Sequence, residues 1–146
     1  TMRAAMTAAE TGHQVITTLH TIGAVHTIDR IIDSFEPRQQ QQIRTQLALV
    51  LEGVASQQLL PSQDGGLRPA FEVMTVNSAI RTMIRESRTH QMENEIFSAA
   101  AEGMCTMDQS ICELARAGAI AAETALRYSI RPDWVKKRLS APAGLG

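Results

Sequence analysis

A chain of 146 residues has the length of one domain, or of part of a larger one. Hydrophobic residues make up 44% and aromatics only 3%, so a core must be built from Leu, Ile, Val, Met and Ala, which leans helical. The net charge of -1 excludes the overall basic field that nucleic acid or an anionic membrane surface selects. No apolar run is long enough to span a bilayer and no signal peptide is read.

The chain opens as if inside a helix. Met2, Ala5, Met6 and Ala9 share one face over residues 2–11, and Gly12 is a helix stop. Gln14 to Leu19 is rich in β-branched residues and is predicted as a short buried strand, with His20 and Thr21 at its carboxyl end. Gly23 breaks the chain. Helical spacing resumes at Val25, Ile28, Ile31, Ile32 and Phe35, and Pro37 ends that helix or opens the next. Ile43, Leu47, Val50, Leu51, Val54 and Leu59 continue at three- and four-residue steps, which predicts one long helix to about residue 59. Ser62–Gly66 is a turn, and Ala55–Leu60 has the alternative of ending as a strand paired with Arg68–Met74. Pro69 then belongs at an edge or strand start.

Asn77 or Ser78 is placed to cap a helix over Ala79–Glu86. Further helices are predicted at about 91–102, 107–117 and 121–129, with Thr106 or Asp108 capping the second of them. Pro132 and Asp133 open a last short helix with Trp134, Val135 and Leu139, and residues 140–146 read as a flexible tail. Cys105 and Cys112, placed on one helix, would lie about 10 Å apart along its axis, too far for a disulfide. Two isolated thiols fit a reducing, cytoplasmic setting. One strand flanked by helices is not a complete sheet, so further strands are expected upstream.

Two places carry chemistry. On the Ala79–Glu86 helix, Ile80, Met83 and Ile84 form an apolar stripe with Arg81, Arg85 and Arg88 beside it, the pattern of a docking surface. A solvated helix face is the plainer reading of the arginines, and also of Lys136, Lys137 and Arg138. The second place is Thr18, His20 and Thr21, since ligands of open α/β sheets bind beyond the carboxyl ends of strands and these groups can donate to a phosphate. The plainer reading is that His20 satisfies a loop carbonyl. His13 fits either a cation at a helix carboxyl end or an exposed interface residue. His13, His20 and His26 do not have the spacing of a zinc site. Glu93 and Glu95 read as solvated carboxylates. There is no Gly-x-x-x-x-Gly-Lys-Ser/Thr loop, no Gly-x-Ser-x-Gly elbow and no His-Glu-x-x-His, so local chemistry does not make the segment a self-sufficient enzyme.

Five stretches occur in order: Thr7-Ala-Ala-Glu-Thr-Gly-His13, Thr18-Leu-His-Thr21, Thr27-Ile-Asp-Arg-Ile-Ile-Asp33, Ala79-Ile-Arg-Thr-Met-Ile-Arg-Glu86 and Gly103-Met-Cys-Thr-Met-Asp-Gln109. Together they resemble the PilT-type twitching-motility ATPases, the type IV pilus retraction motors of the secretion-ATPase superfamily, from residue 2 to about 130. The resemblance implies an α/β fold: the trailing part of a RecA-like ATPase core over residues 1–76, then a mainly helical region over 77–139. It implies a homo-hexamer that binds ATP and Mg2+ between subunits in the full-length parent. This segment alone is expected to hold neither tightly. The motor would work in the cytoplasm against an inner-membrane pilus platform protein, peripheral to the membrane and not inserted. Residues 11–21 correspond to the family's His box, so His13 and His20 carry over as its two histidines, with His20 positioning the γ-phosphate beside Thr18 and Thr21. Ala79, Ile80, Arg81, Ile84, Arg85 and Glu86 carry over from the family's AIRNLIRE motif, needed for retraction more than for hydrolysis. Thr82 and Met83 replace its Asn and Leu, and Ile22-Gly23 stands where the family has Asn-Ser. The Walker A and Walker B elements lie upstream in the family. Another secretion-superfamily motor and a non-catalytic helical interaction module are the alternatives.

Overall fold

Two nine-residue strands, β1 (Gly53–Pro61) and β2 (Leu67–Thr75), pair antiparallel and organise everything around them. They belong to a computed structural model that describes residues 1–141. Three helices precede the hairpin: α1 (Met2–Glu10), α2 (Ala24–Asp33) and α3 (Pro37–Val50). Five follow it: α4 (Ser78–Arg85), α5 (Met92–Ser98), α6 (Met107–Arg116), α7 (Ala122–Tyr128) and α8 (Pro132–Ser140). Short 3-10 turns at Thr89–Gln91 and Ala100–Glu102 flank α5.

Strand side chains alternate between faces. In the hairpin this buries Ser56, Leu60, Ala70, Glu72 and Met74 and leaves Leu59, Leu67 and Phe71 exposed. Met74 enters a first core, where Met6, Ile28, Leu47, Ile80, Ile84 and Ile96 meet. Leu60 and Ala70 enter a second, with Met107, Ile111, Ile120 and Val135. The junction expected at 76/77 therefore falls inside the first core, which takes side chains from both sides of it. Val73 and Cys105 exchange backbone hydrogen bonds of 2.9 and 3.0 Å, which brings the start of α6 alongside β2.

Local signals explain most boundaries. Pro37 sits in the first turn of α3, where its missing N–H costs nothing. Asn77 caps α4: its Oδ1 accepts the Ile80 N–H at 2.9 Å. Thr106 and Gln109 form a reciprocal capping box at the start of α6.

Five expectations are corrected. The predicted strand at Gln14–Leu19 is not formed: residues 13–19 have no regular structure, and Ile16 is 87% exposed. β propensity reflects pairing and packing with neighbouring strands, and neither described strand pairs with this run. The long helix stops at Val50, because Leu51 turns extended and Val54 and Leu59 belong to β1. Cys105 precedes α6 and does not share a helix with Cys112; both thiols are free. The helix at 91–102 is broken into α5 and the 3-10 turn at Ala100–Glu102. Of the expected tail, Ser140 closes α8, and residues 142–146 lie outside the described residues.

The end of α3 has a specific cause. The Arg81 Nη1 donates to the carbonyl oxygens of Ala48 (2.6 Å) and Leu49 (3.1 Å), satisfying groups that a helix end leaves without partners. Its other terminal nitrogen lies 3.2 Å from the highly exposed Glu52, a pair worth little. Arg81→Ala is therefore expected to lower unfolding stability by about 1–2 kcal/mol, read from urea titration.

Candidate functional site

His20 is held by its neighbours. Leu19 packs partly buried against the first core, and on the other side the chain is pinned by the hairpin. Ser56 and Glu72 stand directly opposite each other across β1 and β2, both buried. The Ser56 hydroxyl oxygen accepts the Gly23 N–H at 2.8 Å and lies 3.3 Å from the Thr21 carbonyl, to which it donates. A Glu72 carboxylate oxygen accepts the Ala24 N–H at 2.6 Å. The cross-strand pair thus takes up amides at the start of α2 that have no partner within the helix. Gly23 makes this possible: its φ of 90° lies in the region that favours glycine, and a Cβ there would stand 3.4 Å from the Glu72 carboxylate.

Between these anchors His20 points into solvent. Among the described residues none hydrogen-bonds to its imidazole, so it is not spent on a loop carbonyl. Thr18 is exposed as well. Thr21 is not free: its hydroxyl lies 2.8 Å from that of Thr27, which donates to the Gly23 carbonyl at 2.8 Å. Val15 to Leu19 and Thr21 line a groove of about 450 Å³ together with Leu51 and Gly53 to Ser56. His13 stands apart, at the carboxyl end of α1. Its Nδ1 lies 3.3 Å from the Ala8 carbonyl and 3.1 Å from the Thr11 hydroxyl, so it fills the helix-end position that its spacing allowed. Among the described residues no group of three or more His, Cys, Asp or Glu side chains is arranged to hold a metal ion.

The Ala79–Glu86 residues divide sharply. Ile80 and Ile84 are fully buried in the first core and Ala79 is half-buried, so the apolar stripe is not a docking surface. An isoleucine at these positions finds a core already formed by α2, α3 and α5. Arg81 is spent on the end of α3. Arg88 lies beyond a left-handed residue, Ser87 at φ 57°, and so leaves the row. Arg85 and Glu86 remain exposed; among the described residues the Arg85 side chain hydrogen-bonds only to Thr82 on its own helix, at 3.2 Å, and Glu86 pairs with Arg88 at 2.6 Å.

Sequence reasoning missed the buried carboxylates. Glu72 sits at an inward position of an alternating strand, Ala70-x-Glu72-x-Met74, which is itself a signal: a charge on an apolar face needs partners. Its second oxygen accepts the Met107 N–H of α6 at 3.1 Å. Asp108 accepts the Ile130 and Arg131 N–H groups at 2.8 and 2.9 Å. Glu93 and Glu95 are not freely solvated: Glu93 lies 3.0 Å from the Arg131 guanidinium, and Glu95 accepts from Asn77 at 2.9 Å.

Partial burial pushes the Glu93 carboxyl above the ordinary glutamate range, against the attraction of Arg131 and with help from Asp108 and Glu72. A carboxyl whose folded pKa is raised holds its proton longer in the folded state. Its contribution therefore makes stability fall as pH rises from the ordinary glutamate value through the raised one. Glu93→Gln is expected to flatten that fall, measured as unfolding midpoint against pH across the mildly acidic range. Burial also raises both cysteine thiols, which disfavours the reactive thiolate.

Helices packed on one hairpin, with a histidine loop pinned to its inner face, define the class when set beside known proteins. The chain belongs to the Type II/IV secretion system protein family, whose model matches residues 1–127. Within that family it is a homologue of the twitching-motility ATPases. It is 45% identical over 128 residues to a twitching motility protein of Neisseria gonorrhoeae, covering 87% of this chain and 34% of that one. It is 42% identical over 133 residues to the type IV pilus retraction ATPase PilT of Pseudomonas aeruginosa, covering 91% of this chain and 39% of that protein. The crystal structure of the pilus retraction motor PilT with bound ADP superposes with a TM-score of 0.80 at 40% identity, over 92% of this chain and 38% of that one. The chain thus spans little more than a third of the length of the relatives it matches, and carries the fold of the corresponding region of a secretion ATPase.

Proposed function

We propose that this chain is the carboxyl-terminal part of a hexameric motor that hydrolyses ATP to retract a type IV pilus and so drives twitching motility. The observation that carries this reading is the exposed His20, without a hydrogen-bond partner among the described residues, on a loop pinned from both sides, in a chain over 40% identical to a twitching motility protein and to a type IV pilus retraction ATPase. An imidazole held in place but left without an internal acceptor is fit to meet a phosphate oxygen.

The residues present fit a nucleotide only in part. His20 and Thr18 offer donors to a phosphate, while Thr21 is engaged within its own loop and acts by holding it. His13 supports the end of α1, next to the segment that leads to His20. No phosphate loop occurs in the 146 residues, so the cradle for the phosphates and Mg2+ belongs to the rest of the parent. When bound, ATP with Mg2+ supplies the transferable phosphoryl group and neutralises its charge. What this chain supplies is orientation at the γ-phosphate and a packed body to carry the resulting motion.

In this reading residues 1–76 are the trailing part of the nucleotide-binding core. Residues 77–139 are the helical region, with the first core packed across the junction between them. The exposed β-branched run 14–19 pairs with strands from the remainder of the parent. The motor sits in the cytoplasm, where Arg85 and Glu86 face outward to transmit motion towards an inner-membrane platform protein. No helix among the described residues is long and apolar enough to cross a membrane.

The test is Mg2+-dependent ATP hydrolysis by the full-length protein. His20→Ala is expected to lower kcat by about 10²–10³-fold, the cost of one preorganised donor at a developing charge. An unchanged kcat overturns the reading.

A further inference from the structure

We propose that Glu72 is the positioning residue that ties the His20 loop to the α6–α8 body, so that a shift at either end is felt at the other. This rests on the nucleotide reading for its functional meaning, but the tie itself is a matter of geometry. The carboxylate is buried and has two oxygens, each of which serves a different helix. One takes the Ala24 N–H at 2.6 Å, three residues after Thr21; the other takes the Met107 N–H at 3.1 Å, the first residue of α6. Both acceptors sit at helix amino termini, where the backbone dipole favours negative charge. Glu72 is the only residue among those described whose side chain accepts from the backbones of both α2 and α6.

The two helices belong to different cores. Residues of α2 pack in the first, with α3 and α4, whereas those of α6 pack in the second, with α7 and α8. The hairpin lies between them and supplies Leu60 and Ala70 to one core and Met74 to the other. A carboxylate at this position adds a direct link from the His20 loop to α6, beside the Val73–Cys105 backbone pair and the Glu93–Arg131–Asp108 contacts that also join the two cores. A single-acceptor side chain cannot do so: glutamine would offer one oxygen and present an amide N–H to the second donor. Aspartate would keep the charge and lose the reach by one methylene. Ser56, directly across the strand, secures Gly23 independently of α6, so the loop keeps one anchor when Glu72 is changed.

A double-mutant comparison by amide hydrogen exchange on the full-length protein tests the tie. Thr106→Ala removes the α6 capping box and loosens its first turn by about fivefold in exchange. With Glu72 present, exchange at residues 23–25 is expected to rise in step, by a few-fold. With Glu72→Gln, or with Glu72→Asp should the glutamine variant not fold, exchange at 23–25 is expected to be the same whether residue 106 is Thr or Ala. If residues 23–25 ignore Thr106→Ala while Glu72 is intact, or respond equally in both backgrounds, the tie is refuted. The readout needs no nucleotide. A coupled exchange pattern in a protein whose kcat ignores His20→Ala keeps the tie and removes the ATP reading; an uncoupled pattern with kcat lost on His20→Ala does the reverse.

Discussion

Replacing Asp108 by alanine is expected to destabilise the protein by about 3–5 kcal/mol, the cost of losing two hydrogen bonds to a buried charged group. Asp108 is 1% exposed. It sits in the first turn of α6, and its two oxygens accept consecutive backbone N–H groups, Ile130 at 2.8 Å and Arg131 at 2.9 Å. Those amides form the turn between α7 and α8. The Arg131 guanidinium stands 3.7 Å from the same carboxylate and 3.0 Å from Glu93 on α5. Alanine would leave two part-buried backbone donors without their acceptor and leave Arg131 with Glu93 alone. Asparagine keeps one acceptor and is expected to fall between. Urea unfolding of the three proteins reads the difference. A loss below about 1 kcal/mol for alanine would show that water replaces the carboxylate without cost, contrary to its burial.

Ile84→Ala is expected to cost about 2–5 kcal/mol, as for other fully buried isoleucines, whereas Arg85→Ala should change stability by less than about 0.5 kcal/mol. Ile84 has no exposed surface and packs with α2, α3 and α5; among the described residues the exposed Arg85 side chain hydrogen-bonds only to Thr82 of its own helix. The contrast decides how the Ala79–Glu86 motif is to be dissected. A motility defect from changing Ile80 or Ile84 reports a damaged core, and one from Arg81 reports in part the loss of the α3 cap. Arg85 is the clean probe. In the full-length protein Arg85→Ala is expected to abolish twitching while leaving most ATP hydrolysis. Loss of both together, with stability unchanged, would place Arg85 in the hydrolytic machinery.

Local chemistry was legible and distant chemistry was not. The caps at Asn77 and Thr106, the prolines that open α3 and α8, and the Ser62–Gly66 turn between paired strands depend on neighbours within a few residues, and each is one of the readings the sequence allowed. Val54 and Leu59 misled because their spacing suits a helix as well as one face of a strand, and pairing with β2 decided between them. Gln14–Leu19 has strand composition without a strand beside it. The Arg81 cap and the reach of Glu72 join residues more than thirty positions apart, beyond any window of periodicity. His20 is singled out by resemblance and by its place after a β-branched run. What holds it, Ser56 and Glu72, is visible only once the hairpin is closed.

The most direct measurement is a structure of the full-length protein with a non-hydrolysable ATP analogue and Mg2+. A His20 ring nitrogen about 3 Å from a γ-phosphate oxygen, with residues 14–19 hydrogen-bonded as a strand, is the predicted result. A nucleotide bound elsewhere, with His20 still in solvent and residues 14–19 still unpaired, would contradict the assignment of this chain to the working part of a retraction motor.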